Sequence, residues 1–316
     1  MMAPPCSGVY VQAFLAMTWL VGVDGVGLAT PRADRVRVVE VAPRGSGREA
    51  LGAPADAEAR GFFANEVVRI SKHSPGVKGL FAVYVLSPAS AEGDKRFAEV
   101  ITTLAELGVA SAVRVYWLTK AEAPTESEQM NQTGLPMTPK QQHEWKTRKN
   151  KETGDGAWSG ALACALGHYH IVDMANAALN VNGSSSGAEW VLVLEDDARL
   201  ADWVRSEPLG ALQDVLESVP ESDAIVFLDD RHCVGEEGRS LGRGFGENDK
   251  ISAQAYAFTR GAAKPLLRQA LNRHSDFWLN GPISDGSVTA YCPPKPVFSH
   301  AHKHTSMIGM AWGLPA

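Results

Sequence analysis

The sequence predicts an α/β fold with a mostly parallel central sheet, and two stretches carry that expectation. Residues 80–86, LFAVYVL, read as a strand ending at a Ser-Pro turn. Residues 91–107 then place Phe97, Val100, Ile101, Leu104 and Leu107 on one helical face before Gly108, and residues 111–118 read as a second strand. Strand, helix and strand at this spacing form a parallel βαβ unit. The second stretch is WVLVLEDDARL, residues 190–200. Its branched apolar run suits a strand buried on both faces, and it meets Glu195, Asp196 and Asp197 without a break. Desolvating adjacent carboxylates is too costly for a core. They therefore belong at the strand's C-terminal end, where open α/β sheets bind ligands. Side chains alternate along a strand, so Glu195 and Asp197 share a face if the extended backbone persists that far. Hard oxygen donors in this arrangement suit Mn²⁺ or Mg²⁺. The alternative is a solvated acidic loop.

Length and composition bound the remaining possibilities. The chain has 316 residues, 45% hydrophobic and 21% charged, enough for one large α/β domain or two smaller ones. A net charge of −6 and a pI near 5.9 speak against a nucleic-acid partner, which usually meets a basic face. The four cysteines, Cys6, Cys164, Cys233 and Cys292, form no CxxC pair, so a thiolate zinc cluster is not indicated. They are also too few for a disulfide-built scaffold.

The other segments follow in chain order. Residues 9–23 are mostly apolar and uncharged, short for a membrane span and suited to a signal-peptide core. No Lys or Arg precedes them, while Gly27 and Ala29 offer small residues for cleavage. Residues 1–29 are read as a signal peptide or an uncleaved anchor. That directs the chain to the secretory pathway (endoplasmic reticulum or Golgi lumen) or outside the cell. If the run is instead a buried N-terminal helix or strand, the protein is cytoplasmic. Residues 30–77 are read as a stem or peripheral segment, with a strand at 35–41 and a helix at 55–71. The catalytic domain is then 78–316. Residues 120–156 are polar and lack apolar periodicity, as functional loops often do. Their Lys146, Arg148, Lys149 and Lys151 meet a diphosphate or form a solvated surface. Residues 158–179 are a long helix holding His168 and His170. Residues 208–219 are a helix, and residues 223–228, DAIVFL, form a strand that also ends in two acids, Asp229 and Asp230. Gly242, Gly244 and Gly246 lack the following helix that a dinucleotide fingerprint needs. Residues 252–259 read as a strand and 261–272 as a helix. Near the C-terminus, His302 with His300 and His304 is either a metal ligand or part of a polar tail.

Taken together, four segments in this order resemble glycosyltransferase family 25, which includes lipopolysaccharide-biosynthesis transferases and collagen β-galactosyltransferases. Leu194 to Asp197 matches its Leu-Glu-Asp-Asp element, and ACALGH, residues 163–168, is similar to its Gly-Cys-Ala-Leu-Ser-His. AQAYAFTRGAAKPLL, residues 253–267, is similar to its Thr-Gln-Ala-Tyr stretch, and Asp276 to the acid of its Val-Asp-x-x-Leu segment. Two departures stand out. Gly167 replaces the family's Ser, and Arg96 follows a longer turn than the family's Arg. The resemblance implies a GT-A-like nucleotide-sugar transferase fold and inverting transfer of galactose or glucose from a UDP-sugar to a glycan or protein acceptor. It implies a Mn²⁺ (or Mg²⁺) ion at Asp197 with Glu195. Glu195, Asp196, His168 and Tyr256 become donor-binding candidates. Asp276 becomes the general base, with Asp229 or Asp230 as alternatives. Two rivals remain: a metal-dependent phosphohydrolase using both acid-ended strands, and an inactive sugar-nucleotide-binding relative.

The targeting expectation has a direct test. A C-terminal fluorescent fusion should enter secretory compartments and become cytosolic when residues 1–29 are deleted. Cytosolic fluorescence of both forms is the contrary result.

Overall fold

The computed structural model describes residues 37–40, 63–70, 76–117, 157–181, 189–220, 222–229, 252–269 and 275–300. Through them run β1 (Arg37–Glu40), β2 (Phe63–Arg69), β3 (Leu80–Pro88), α1 (Ala91–Glu106), β4 (Ser111–Trp117) and α2 (Ala157–Val181). Then come β5 (Trp190–Glu195), β6 (Ala198–Leu200), α3 (Asp202–Ser206), α4 (Pro208–Glu217) and β7 (Ala224–Phe227). The order ends with β8 (Ala255–Thr259), α5 (Arg260–Arg268), α6 (Ser275–Ser284), β9 (Thr289–Tyr291) and β10 (Phe298–His300).

Among the described residues, eight strands form one mixed sheet in the order β1-β2-β4-β3-β5-β8-β7-β9. β3 is parallel to both β4 and β5, as the βαβ spacing predicts. β8 runs antiparallel between β5 and β7, and β7 is parallel to β9. β3, β4, β5, β7 and β9 therefore point the same way, and their C-terminal ends share one edge. The entry into antiparallel β8 lies on that edge too, where the Glu195 amide donates to the Gln254 carbonyl at 2.8 Å. β6 and β10 form a separate antiparallel pair.

β5 explains why helices cover both faces. Val191 and Val193 join one buried cluster with α2, α5 and α6. Trp190, Leu192 and Leu194 join the other with α1 and α4. A strand apolar at every position has no face to give to water, so its sheet needs a helical layer on each side. α1 buries Phe97, Val100, Ile101 and Leu104, the stripe expected from its sequence. The Ser90 side chain caps its start by accepting from the Gly93 amide at 3.0 Å.

The N-terminal segment differs from expectation. Residues 63–69 are a strand, where the sequence suggested a helix over 55–71. β2 pairs antiparallel with β4 along its whole length, and β1 pairs with β2. The β-branched Val67 and Val68 suit a pleated surface, and an open edge of β4 offers the ladder. These strands lie at one end of the sheet's strand order. Among the described residues no helix is long and apolar enough to cross a membrane. The expected signal segment lies outside them.

Gly167 on α2 faces β3 at close range. A Cβ there would meet Leu86 Cδ1 at 2.6 Å and Cδ2 at 2.9 Å. Leu86 is itself buried and has little room to yield. This contact accounts for Gly where the resembling family has Ser. Gly167→Ser should destabilise the fold by about 1–3 kcal/mol through overpacking. Leu86→Ala should cost less in that background than in the wild type. Urea unfolding of the two single variants and the double variant tests the coupling, and strict additivity would refute the contact.

Candidate active site

The three acids at the end of β5 do not continue as a strand. The backbone turns at Asp196 and Asp197 before β6 begins. The expected shared face of Glu195 and Asp197 therefore does not arise from regular alternation, and each acid meets a different element.

Glu195 turns toward α2. Its Oε1 lies 3.2 Å from His168 Nε2 and accepts from Cys164 Sγ at 3.4 Å. Cys164 and His168 stand one helical turn apart, which places both side chains on the same side of α2. His168 Nδ1 lies 3.1 Å from the Tyr256 hydroxyl on β8. With Glu195 ionised, Nε2–H donates to Glu195 and Nδ1 accepts from Tyr256. His168 and Tyr256 are fully buried. They hold Glu195 in place from behind.

Asp196 turns toward α1, where Arg96 Nη1 lies 3.9 Å from its Oδ1. Arg96 is buried and also bonds Glu92 at 3.3 Å. The longer turn before Arg96 thus still delivers a cation to the acidic edge. Asp196 Oδ2 is buried with no hydrogen-bond partner. Burial, then the Asp197 charge, pushes the Asp196 carboxyl up to about 8, while Arg96 pulls in the other direction.

Asp197 turns toward the start of β8, and its Oδ1 accepts from Gln254 Nε2 at 3.1 Å. The adjacent residue, Ala253, donates its amide to Asp276 Oδ1 at 2.8 Å. One short segment therefore ties Asp197 to Asp276 in the first turn of α6. Ser275, beside Asp276, places its Oγ 3.7 Å from Cys164 Sγ. Burial first, and then the Glu195 charge, raises the Cys164 thiol well above its usual range. That disfavours a free thiolate nucleophile.

Glu195, Asp196, Asp197 and Asp276 are thus linked around the C-terminal edge of the sheet. Asp229 is buried just after β7. Asp230 and His302 lie outside the described residues, as do the basic loop around Lys146 and the glycines at 242–246. Sequence reasoning left out Cys164, Gln254 and Ser275 as site residues. For Cys164 a signal was available: the i, i+4 spacing to His168. Gln254 had one as well, as the Gln of the Gln-Ala-Tyr stretch, whereas Ser275 gave none, because its role depends on how α6 packs against α2.

No protein-family model matches the chain, and no curated protein matches it. Among solved structures, the chain is similar to a glycosyltransferase involved in the glycosylation of the major capsid of PBCV-1, at 11% identity and a TM-score of 0.31. The match covers 72% of this chain and 98% of that one. A likeness of that size carries no argument about activity.

The Asp196 environment sets a pH dependence. Its carboxyl titrates near the usual 3.8 when unfolded and at about 8 when folded. Between these values the folded state holds the extra proton, so this group's contribution to stability is present at low pH and lost as pH rises through about 8. Asp196→Asn mimics the protonated form and should remove that fall. Denaturant midpoints from pH 4 to 8 in chelator compare the two proteins. Parallel profiles would refute the assignment.

Proposed function

We propose that this chain is an inverting, metal-dependent glycosyltransferase that moves galactose or glucose from a UDP-sugar to a hydroxyl of a glycan or protein. The observation that carries the reading is the junction of Asp197 and Asp276 through Ala253 and Gln254. It brings a metal-type carboxylate and a separate candidate base to one edge of the sheet. The sequence resemblance to family 25 assigns the same two residues these roles.

The residues suit a divalent cation. Glu195, Asp196 and Asp197 bring three adjacent carboxyl groups to one edge of the sheet, and Asp196 Oδ2 is buried there without a hydrogen-bond partner. Asp197 and Glu195 would supply the oxygen donors for Mn²⁺ or Mg²⁺. When bound, the ion provides positive charge for the departing diphosphate. Asp276 takes the proton of the acceptor hydroxyl as its oxygen bonds the anomeric carbon and the bond to UDP breaks. The Ala253 amide holds Asp276 Oδ1 in place for this step. The acidic net charge agrees with the absence of nucleic acid among the partners. Cys292 is disulfide-bonded, which supports an oxidising compartment such as the secretory lumen, with or without anchoring by residues 1–29.

Two variants test the division of labour. Asp197→Asn should weaken Mn²⁺-dependent UDP binding and abolish most transfer. Asp276→Asn keeps the bond from Ala253, so it should leave UDP affinity near normal while lowering transfer about 10²- to 10⁴-fold. UDP release and product formation, measured with UDP-galactose and UDP-glucose, decide the matter. Metal dependence and turnover unchanged in Asp197→Asn would overturn the reading. Hydrolysis with no acceptor product would favour a phosphohydrolase, and binding without turnover an inactive relative.

A further inference from the structure

We propose that Cys164, His168 and Glu195 form a site for a thiophilic divalent cation of the Zn²⁺ type, set apart from the oxygen-donor position at Asp197 by its sulfur and nitrogen donors and sharing Glu195 with it. The inference does not rest on sugar transfer. Sulfur, nitrogen and oxygen donor atoms of these three residues all lie within 4.8 Å of one another. Glu195 Oε1 is 3.4 Å from Cys164 Sγ and 3.2 Å from His168 Nε2. A tetrahedral ion with bonds of about 2.0–2.3 Å spaces its ligands by roughly 3.3–3.7 Å. The two edges through Oε1 already have about that length.

The donor set selects the ion. Thiolate and imidazole with one carboxylate suit Zn²⁺, whereas Mn²⁺ and Mg²⁺ favour oxygen alone. The surroundings have the features of a supported ligand set. His168 Nδ1 has the Tyr256 hydroxyl at 3.1 Å, the outer partner that fixes the ring of a metal-bound histidine. Cys164 and His168 are buried, whereas the Glu195 side chain is 24% exposed. An ion can enter from that side and keep a fourth position open to water. Loading releases the Cys164 thiol proton to solvent. His168 keeps one proton, which moves to Nδ1 and is accepted by the Tyr256 oxygen, leaving Nε2 for the ion. Three protein donors among the described residues leave a fourth position for water, the arrangement of a catalytic-type site rather than a closed structural one.

The test uses Co²⁺ as a spectroscopic probe on the full chain after chelator treatment. Wild type should show near-ultraviolet thiolate-to-cobalt charge transfer together with intense visible bands, both removed by added Zn²⁺. Cys164→Ser should lose the charge-transfer band with its far-ultraviolet circular dichroism unchanged. Tyr256→Phe should bind Co²⁺ about 10- to 100-fold more weakly. Asp197→Asn should keep the band, which separates this site from the oxygen-donor position and from the transferase reading. No band in wild type overturns the proposal. So does a band that persists in Cys164→Ser, because it would then belong to another cysteine. Should Cys164→Ser fail to fold, His168→Gln replaces it: a much weakened band supports the site, and an undiminished one overturns it.

Discussion

Desolvating a carboxylate costs more than one hydrogen bond returns, and β5 brings three in succession to one edge of the sheet. The structure spreads that cost over three elements. α2 supplies His168 and Cys164 to Glu195, α1 supplies Arg96 to Asp196, and the entry to β8 supplies Gln254 to Asp197. The turn at Asp196 and Asp197 makes this distribution possible, because it sends successive side chains toward different neighbours. A continued strand would give two acids to one helical layer. Arg96 compensates Asp196 incompletely: the carboxyl stays high and one oxygen stays unbonded.

The antiparallel strand β8 completes the arrangement. It enters the sheet at the edge where the parallel strands end, so its first residues lie beside the last residues of β5. Tyr256 reaches His168 from within the strand, while Gln254 and Ala253 reach Asp197 and Asp276 from just before it. A parallel strand in that place would carry its N-terminal residues to the far end of the sheet. Hydrogen bonds from one short segment thus fix the spacing between the acids of β5 and the acid of α6. Buried networks of this kind are rigid only while every member is satisfied. Substitutions at Tyr256 or Gln254 therefore remove a partner of His168 or of Asp197.

Local chemistry was legible in the chain itself. The apolar run of residues 190–194 suited a strand covered on both faces, and the cost of desolvating carboxylates placed the acids at its end. The stripe on α1 and the βαβ spacing followed from side-chain period and from Gly108. The sequence alone also determined which residues carry charge at the edge. It did not determine their surroundings. Residues 63–69 form a strand because β4 offers an open edge, a long-range fact that no local propensity records. His168 and Tyr256 prove to be buried supports of Glu195, since the layer packed on β5 encloses them. The links from Gln254 to Asp197 and from Ser275 to Cys164 join residues 57 and 111 positions apart. Such links exist only once strand order has been chosen. Strand order is settled by the burial of whole faces, a property of the assembled sheet and not of any one segment.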